Sequence, residues 1–191
     1  MNLVTLCGSL RANSSNRALL LAYERLALSI FEVHHFEQLG ELPHFNPDLD
    51  GERSAPVVGA FRSLISNADA VLISTPEYAH GLPGSFKNAL DWLVSDPSFA
   101  GKLVAILHVP RGSTWALDSL REVLRTMSAR VVEAASVSLP LGTNQVDANA
   151  ILADANLRRL LLLSIEKLRS YGEVEPLNPN QAVEGLAKRG R

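Results

Sequence analysis

The sequence contains one cysteine, no long apolar run and no excess charge of one sign, and each absence excludes a class of protein. Cys7 has no partner for an intramolecular disulfide, and no Cys/His spacing is typical of a zinc site. The longest purely apolar runs, such as residues 160–163, are far shorter than the ~20 residues that a membrane-spanning helix needs. The N-terminus lacks the basic and then apolar pattern of a secretory signal, so we expect a cytoplasmic protein with no membrane partner.

The charges are nearly balanced, with 18 Lys and Arg against 20 Asp and Glu and a net charge of −2. No strong field is therefore available to attract nucleic acid or an anionic membrane without sequence specificity. Hydrophobic residues make up 47% of the chain and charged residues 20%, which is typical of a folded globular protein rather than a disordered one. We expect a small-molecule partner and no nucleic acid.

Short apolar runs that favour β-strands alternate with segments of helical periodicity. The predicted strands are residues 3–7, 31–35, 70–74, 103–109 and 131–139, and the predicted helices are residues 15–29, 55–67, 84–94, 115–128 and 148–171. Ser54 is the expected N-cap of the second helix and Gly172 the expected end of the last one. This alternation predicts a parallel sheet with right-handed crossovers and helices on both faces.

The domain organisation follows from what separates these segments. The chain has no internal repeat and no linker rich in Pro, Gly or Ser that would divide two domains. We therefore predict one α/β domain over residues 1–172. Residues 173–191 are polar or weakly apolar, and we expect them to form a tail that is mobile or packs on a neighbouring subunit.

A polar loop, residues 8–16, separates the first predicted strand from the first helix. Its donor side chains are Ser9, Arg11, Ser14, Ser15 and Asn16. Together with the free N–H groups of a helix N-terminus, these residue types describe a monophosphate pocket. The alternative is that Ser14 or Ser15 only caps the helix and Arg11 is solvated. The loop matches neither the G-x-x-x-x-G-K-[ST] nor the G-x-G-x-x-G pattern, which disfavours ATP hydrolysis and Rossmann dinucleotide binding.

A second loop, residues 75–84, follows the third predicted strand. In a 2-1-3-4-5 strand order the first and third strands are neighbours, so both loops would flank one crevice at the switch in strand order. Two prolines and two glycines make the loop stiff and let its backbone approach a flat ligand. Tyr78 can pack on a ring, and the alternative is an ordinary connection in which Tyr78 packs locally.

GSLRANSSN, followed by TPEYAHGLPGSFKNALDW, resembles the NADPH-dependent FMN reductase family. These flavodoxin-like enzymes include quinone, chromate and azo-compound reductases, and the similarity spans roughly residues 2–170. The resemblance implies a doubly wound five-stranded parallel sheet in the order 2-1-3-4-5. It also implies FMN as cofactor, NADPH or NADH as co-substrate, and a homodimer or homotetramer.

The resemblance also implies roles for single residues. Ser9, Arg11, Ser14, Ser15 and Asn16 match the FMN-phosphate loop, and Pro76, Glu77, Tyr78 and Gly81 match the loop that holds the isoalloxazine. Ala79 stands in this second loop where many family members have Asn, which removes an amide near the flavin. Lys87, Asn88 and Asp91 match the polar signature of the following helix.

A third loop, residues 108–114, follows the fourth predicted strand and is expected on the same rim. Family members often carry more glycine here, so Arg111 and Gly112 match loosely as cofactor-binding residues. Arg111 is expected to stabilise negative charge near reduced flavin or to contact an NADPH phosphate. The alternative is a solvated loop arginine.

Residues that would carry other chemistries are absent or badly placed. No H-E-x-x-H motif, G-x-S-x-G elbow or acid–base–nucleophile triad occurs, and we predict no metal site and no catalytic side chain. Cys7 is expected to be a small buried residue, and His80 is the one histidine expected near the crevice. Flavin enzymes fit these absences, because the cofactor accepts the hydride and the protein binds, orients and tunes it.

The leading hypothesis is therefore an NAD(P)H-dependent, FMN-containing oxidoreductase. Its small-molecule electron acceptor would be a quinone or a similar compound, such as chromate, an azo compound or free flavin. Three alternatives stay open at this point. They are a flavodoxin-like electron carrier, a non-catalytic module that binds a phosphate ligand, and an enzyme for which free FMN is the substrate.

Overall fold

The computed structural model describes residues 1–142 and 146–174 of the chain. One sheet lies at the centre of the fold. Its strands are β1 (Asn2–Cys7), β2 (Glu32–His35), β3 (Ala70–Ser74), β4 (Leu103–His108), β5 (Arg130–Val131) and β6 (Val137–Ser138). The strands pair in parallel in the order β2-β1-β3-β4-β5, and β6 pairs with β4 beyond the end of β5. The predicted 2-1-3-4-5 order is confirmed, and it is the flavodoxin-like one.

The helices cover both faces of this sheet. They are α1 (Ser15–Ala27), α2 (Pro56–Ser66), α3 (Gly84–Leu93), α4 (Trp115–Thr126), α5 (Ala148–Ala153) and α6 (Ala155–Val174). Side chains alternate along each strand, so Ala70 and Leu72 of β3 pack under α1, α5 and α6, while Val71 and Ile73 pack under α2, α3 and α4. The two apolar cores hold the sheet between two layers of helices. No helix in the described part of the chain is long and apolar enough to cross a membrane.

The fifth strand differs from the prediction of one run over residues 131–139. The chain leaves the sheet after β5 and returns as β6. Between the two strands, the Ser136 hydroxyl takes the place of a backbone group in the hydrogen bonding to β4. It accepts a hydrogen bond from the Ile106 N–H at 3.1 Å and donates to the Val132 carbonyl at 3.0 Å. The backbone of β4 therefore keeps a hydrogen-bond partner across the turn, and apolar periodicity cannot predict this turn.

The helix ends differ from prediction at three places. Asp154 divides the last helix, since its carboxylate caps α6 by accepting from the N–H groups of Asn156 and Leu157 at 2.8 and 3.0 Å. Gly172 does not end α6, and a Cβ there would meet the end of the Met1 side chain. Ser54 is not an N-cap, because its hydroxyl donates to the Gly51 carbonyl at 2.8 Å.

The segment between β2 and α2 contains three short 3-10 helices, Gln38–Glu41, Pro47–Leu49 and Gly51–Arg53. The predicted tail lies outside the described residues from position 175 onward.

Candidate functional site

A cleft of about 270 Å³ opens at the carboxyl ends of β1, β3 and β4. Parallel strands present all their following loops at this edge, and ligands bind at the switch in strand order, here between β1 and β3. The cleft is lined by Ser9, Arg11, Ser14, Ser15, Asn16, Thr75, Pro76, Glu77, Tyr78, Ile106, Leu107, His108, Val109, Arg111, Ser113, Ala116 and Leu117. The three loops singled out in the sequence thus share one cavity.

Gly8 and Thr75 bring the first two loops together. The Gly8 N–H donates to the Ser74 carbonyl at 2.9 Å, which continues the β1–β3 pairing past the strand ends. A Cβ at Gly8 would lie 2.0 Å from Thr75 Oγ1 and 2.6 Å from Thr75 Cβ, closer than any real contact. Only glycine permits this approach, so the polar loop and the proline-containing loop form adjacent walls of the cleft.

The polar loop has its own internal hydrogen bonds. Ser14 is the N-cap of α1 and its hydroxyl accepts from the Arg17 N–H, while the Ser9 hydroxyl accepts from the Arg11 N–H at 3.3 Å. Asn16 is buried, and its Oδ1 lies 2.9 Å from the hydroxyl of Ser74 at the end of β3. Capping therefore accounts for part of the loop, but the same side chains also face the cleft.

Glu77 fastens the second loop to the start of α4. Its Oε2 accepts from the Ala116 N–H at 2.9 Å, and its Oε1 accepts from the Ser113 hydroxyl. These two hydrogen bonds, the backbone one first, hold the pKa of the Glu77 carboxyl below its ordinary value. Glu77 is the one carboxylate among the described residues that line the cleft, and both of its oxygens are engaged.

Residues 78–81 form a tight two-residue turn. The Tyr78 N–H donates to the Gly81 carbonyl at 3.0 Å and the Gly81 N–H to the Tyr78 carbonyl at 2.9 Å. The two central residues, Ala79 and His80, have φ values of +49° and +59°. Positive φ at both positions defines a type I′ turn, which prefers Asn and Gly. Ala79 therefore adopts a backbone conformation that Asn or Gly would adopt at lower cost.

Nine of the twelve residues predicted to bind the cofactor line the cleft. They are Ser9, Arg11, Ser14, Ser15, Asn16, Pro76, Glu77, Tyr78 and Arg111. Ala79 and Gly81 do not line it and instead build the turn beside it. Gly112, with φ +90°, also stays outside the lining and provides a bend that disfavours a side chain.

The polar signature of α3 lies outside the cleft and anchors a neighbouring loop. Asn88 Oδ1 accepts from the Phe45 N–H at 2.7 Å, and its Nδ2 donates to the Pro43 carbonyl at 3.0 Å. Lys87 and Asp91 form an ion pair along the helix surface. These residues therefore support the fold, and the structure does not bring them to the three loops that line the cleft.

The carboxyl end of β4 forms a further wall of the cleft, next to the third loop that was expected on this rim. Ile106, Leu107, His108 and Val109 line it, and the His108 Nδ1 lies 3.3 Å from the Ser138 hydroxyl on β6. Burial, followed by the nearby Arg121 guanidinium, lowers the pKa of His108. Sequence reasoning missed only Ile106 and Leu107 in this wall, although β4 is the next strand after β3 in the predicted order. His80, expected near the crevice, lies outside the lining.

Cys7 is half-buried, where a buried residue was expected. Its thiol donates to the Ser9 carbonyl at 3.5 Å, and burial raises its pKa. Within the described part of the chain, no three His, Cys, Asp or Glu side chains cluster as a metal site would require.

A wider cavity of about 510 Å³ lies on the other side of the polar loop. Two of its arginines already have partners, since Arg17 pairs with Glu37 and Arg25 donates to the Asn149 Oδ1 at 2.6 Å. No residue of the second or third loop lines this cavity in the described part of the chain. The 270 Å³ cleft is therefore the candidate site.

Comparison with known proteins supports the same reading. A profile of the family described as NADPH-dependent FMN reductase matches residues 1–144. A quinone reductase of Escherichia coli is 33% identical over 153 residues, which cover 77% of this chain and 81% of the relative. A 2-hydroxy-1,4-benzoquinone reductase of a Burkholderia species is 31% identical over 178 residues, which cover 90% of this chain and 96% of the relative.

A solved structure extends the comparison to three dimensions. FerB, a flavoenzyme NAD(P)H:(acceptor) oxidoreductase from Paracoccus denitrificans, superposes with a TM-score of 0.70 at 26% identity, covering 92% of this chain and 99% of that one. The profile match covers most of the chain, and the alignment with a relative above 30% identity covers most of both chains. The chain therefore belongs to the NADPH-dependent FMN reductase family, as the two loop motifs predicted, and is a flavin-dependent oxidoreductase.

Proposed function

We propose that this protein holds FMN in the 270 Å³ cleft and uses NADPH or NADH to reduce quinones or similar small acceptors. The observation that carries the proposal is the donor set at the N-terminus of α1. Ser9, Ser14 and Asn16 are buried there beside Ser15, and Arg11 adds a positive charge. The one carboxylate in the described lining, Glu77, is bound to Ser113 and Ala116.

This donor set fits the phosphate of FMN. Hydroxyls, an amide and a guanidinium donate hydrogen bonds to phosphate oxygens, and the helix N-terminus supplies further N–H groups and the positive end of its dipole. An anion placed there gains roughly 0.3–1 kcal/mol from the dipole alone at an exposed site. Ser14 keeps one lone pair for the Arg17 N–H and can still donate its hydroxyl proton to the ligand.

The other end of the cleft fits a flat heterocycle. Pro76, Tyr78, Val109 and Leu117 provide apolar surface, and Pro76 stiffens the loop that carries Tyr78. Arg111 and His108 border the same cleft, and Arg111 is proposed to stabilise negative charge on the ring or on a nucleotide phosphate. The cavity is close to the lower end of the ~300–1,000 Å³ range of small-molecule sites. Ala79, Gly81 and Gly112 are proposed to shape the loops that contact the cofactor.

The overall reaction balances without a catalytic side chain. NADPH gives up a hydride, a quinone takes two electrons and two protons, and the second proton comes from solvent. FMN, when bound, accepts the hydride and passes the electrons on. The protein's part is to bind the phosphate, to orient the ring between its loops and to leave room for one substrate at a time.

The names of the relatives support a quinone as acceptor. One is described as a quinone reductase and another as a 2-hydroxy-1,4-benzoquinone reductase. We also propose a cytoplasmic homodimer or homotetramer, with one domain over residues 1–172. Light scattering on the purified holoprotein tests the oligomer, and limited proteolysis tests the domain boundary.

Anaerobic spectroscopy tests the proposed function. The protein is loaded with FMN, NADPH is added, and the flavin absorbance band is followed before a quinone is supplied. Fast bleaching that the quinone reverses supports a two-electron reductase, and NADH run in parallel ranks the nicotinamides. Binding without bleaching would indicate an electron carrier, and no retained FMN would overturn the cofactor assignment. Gel filtration before the assay separates bound cofactor from FMN used as a substrate.

A further inference from the structure

An exposed aromatic pair stands beside the mouth of the cleft. The chain has two tryptophans, and whereas Trp92 is fully buried, Trp115 is 61% exposed. The rings of Trp115 and His80 lie 6.0 Å apart between centroids at an interplanar angle of 31°. Tryptophan is highly buried on average, and Trp115 instead exposes most of its ring beside the candidate site.

The His80 ring is held there by the strained turn. Left-handed backbone costs a non-glycine residue about 1–2 kcal/mol, and Ala79 and His80 adopt it in succession. Such strain persists where the surrounding structure fixes it, and it concentrates at functional sites. Here the double hydrogen bond between Tyr78 and Gly81 closes the turn and presents His80 to Trp115.

Glu77 joins the two elements that carry the pair. It sits just before the turn and accepts hydrogen bonds from Ser113 and from the Ala116 N–H. Each ring of the pair is therefore close in sequence to residues that line the cleft. Tyr78, which is 49% exposed, lies two residues before His80, and Ala116 directly follows Trp115.

We infer that His80 and Trp115 form an acceptor-recognition wall that selects planar aromatic acceptors over compact inorganic ones. The inference rests on the proposed function and names the acceptor class of that site. Two tilted rings at the cleft mouth, with centroids 6.0 Å apart, give a quinone ring a surface for offset or edge-to-face contact. An inorganic anion such as ferricyanide has no aromatic ring and gains nothing from this contact.

The test compares two acceptors on the FMN-loaded enzyme at saturating NADPH. For 1,4-naphthoquinone and for ferricyanide, kcat/KM is measured, and the ratio of the two is taken. Trp115→Leu should lower this ratio about three- to tenfold, the effect of losing one aromatic contact. Trp115→Phe should restore most of it, and His80→Asn, which tolerates left-handed backbone, should lower it in the same direction.

A matched control uses another exposed aromatic residue. Tyr171 is 42% exposed near the end of α6, at the opposite edge of the sheet from the cleft, where the neighbouring Gly172 approaches Met1. Tyr171→Leu should leave the acceptor ratio unchanged. A second readout needs no turnover, because naphthoquinone added to the oxidised holoenzyme should quench the emission of exposed Trp115 and spare buried Trp92.

The failures are distinguishable. A wild-type enzyme that NADPH cannot drive to reduce either acceptor would overturn the proposed function, and with it the inference. A wild-type enzyme that reduces naphthoquinone, with the same acceptor ratio in Trp115→Leu and no quenching, would overturn the inference alone. A ratio that falls equally in Trp115→Phe and Trp115→Leu would also overturn it, because the aromatic ring would then not be the cause.

Discussion

The carboxylate of Glu77 accepts a hydrogen bond at 2.9 Å from the backbone N–H of Ala116, so a side chain from the loop after β3 satisfies the first turn of the helix that follows β4. The first N–H groups of any helix lack partners within it. Because α4 takes one partner from the loop after β3, the second and third loops of the cleft are fixed relative to each other. The Ser113 hydroxyl adds a second link between the same loops.

Glu77→Gln should lower the free energy of unfolding near neutral pH, and the difference from wild type should shrink in acid. The native pKa of Glu77 lies below its ordinary value of about 4.3. In acid, the unfolded chain therefore binds more protons than the native chain does. The stabilisation is therefore full above that value and is lost as the pH falls through the native pKa. Denaturant unfolding between neutral and acid pH measures it.

A control for this variant is Glu166→Gln, which removes a carboxylate from the exposed face of α6. It should show no comparable convergence with the wild type in acid. If the Glu77→Gln difference stayed constant down to acid pH, the charge of the carboxylate would not be what joins the two loops.

Gly8→Ala should destabilise the protein by about 1–3 kcal/mol, the usual effect of overpacking. The added Cβ would lie 2.0 Å from Thr75 Oγ1 and 3.1 Å from the Thr75 Cα, so both loops would have to move. Thr75→Ala in the same chain should recover only part of the loss, because the Cβ of residue 75 is also within 2.6 Å. Denaturant unfolding of the single and double variants measures this.

Gly59→Ala is the matched comparison, because nothing lies within 4 Å of a Cβ built there in the middle of α2. It should stabilise the protein by roughly 0.5–1 kcal/mol through helix propensity. Equal effects of the two substitutions would mean that Gly8 is not required for the contact between the loops.

Ala79→Gly should stabilise the protein by up to about 1 kcal/mol. Glycine removes a left-handed penalty of about 1–2 kcal/mol, which exceeds the ~0.5–1 kcal/mol that its greater freedom costs. Ala79→Asn should act in the same direction. Ala150→Gly, at an exposed position of α5, should instead destabilise the protein by about 1 kcal/mol. Thermal unfolding compares the two variants, and a destabilisation by both glycine substitutions would contradict the strain at residue 79.

Much of this arrangement could be predicted from the sequence. The alternation of strands and helices predicted the layers, and the loops after residues 7 and 74 were placed at one crevice because β1 and β3 are neighbours in the predicted order. Apolar periodicity reports burial, and the fully buried β3 has the bounds that were predicted for it, whereas β1, β2 and β4 differ from theirs by one residue.

The remainder depends on single polar contacts that periodicity does not report. The Ser136 hydroxyl interrupts the fifth strand, and the Asp154 carboxylate divides the last helix. The positive φ values at Ala79 and His80 carry no Gly or Asn signal, because the hydrogen bonds between Tyr78 and Gly81 impose them. The third loop, which begins at His108, was expected on the rim, but periodicity could not show that the ring of His108 rather than that of His80 lines the cleft.

Arg11→Ala should weaken FMN binding by about 1–3 kcal/mol, the range of a hydrogen bond to a charged group, which corresponds to a Kd roughly 5- to 150-fold higher. The Arg11 side chain is exposed at the cleft beside the α1 N-terminus and pairs with no carboxylate among the described residues. Its charge is therefore available to a phosphate. Titration of the apoprotein with FMN, followed by loss of flavin fluorescence, gives the Kd.

Two further variants separate charge from geometry in this prediction. Arg11→Lys keeps the charge but not the planar fork of donors, so it should fall between wild type and Arg11→Ala. Arg25→Ala removes an arginine that binds Asn149 and lines the other cavity, and it should leave the Kd unchanged. An Arg11→Ala protein that binds FMN as tightly as the wild type would exclude Arg11 from the phosphate site, and the neutral donors Ser9, Ser14, Ser15 and Asn16 would then have to hold the phosphate alone.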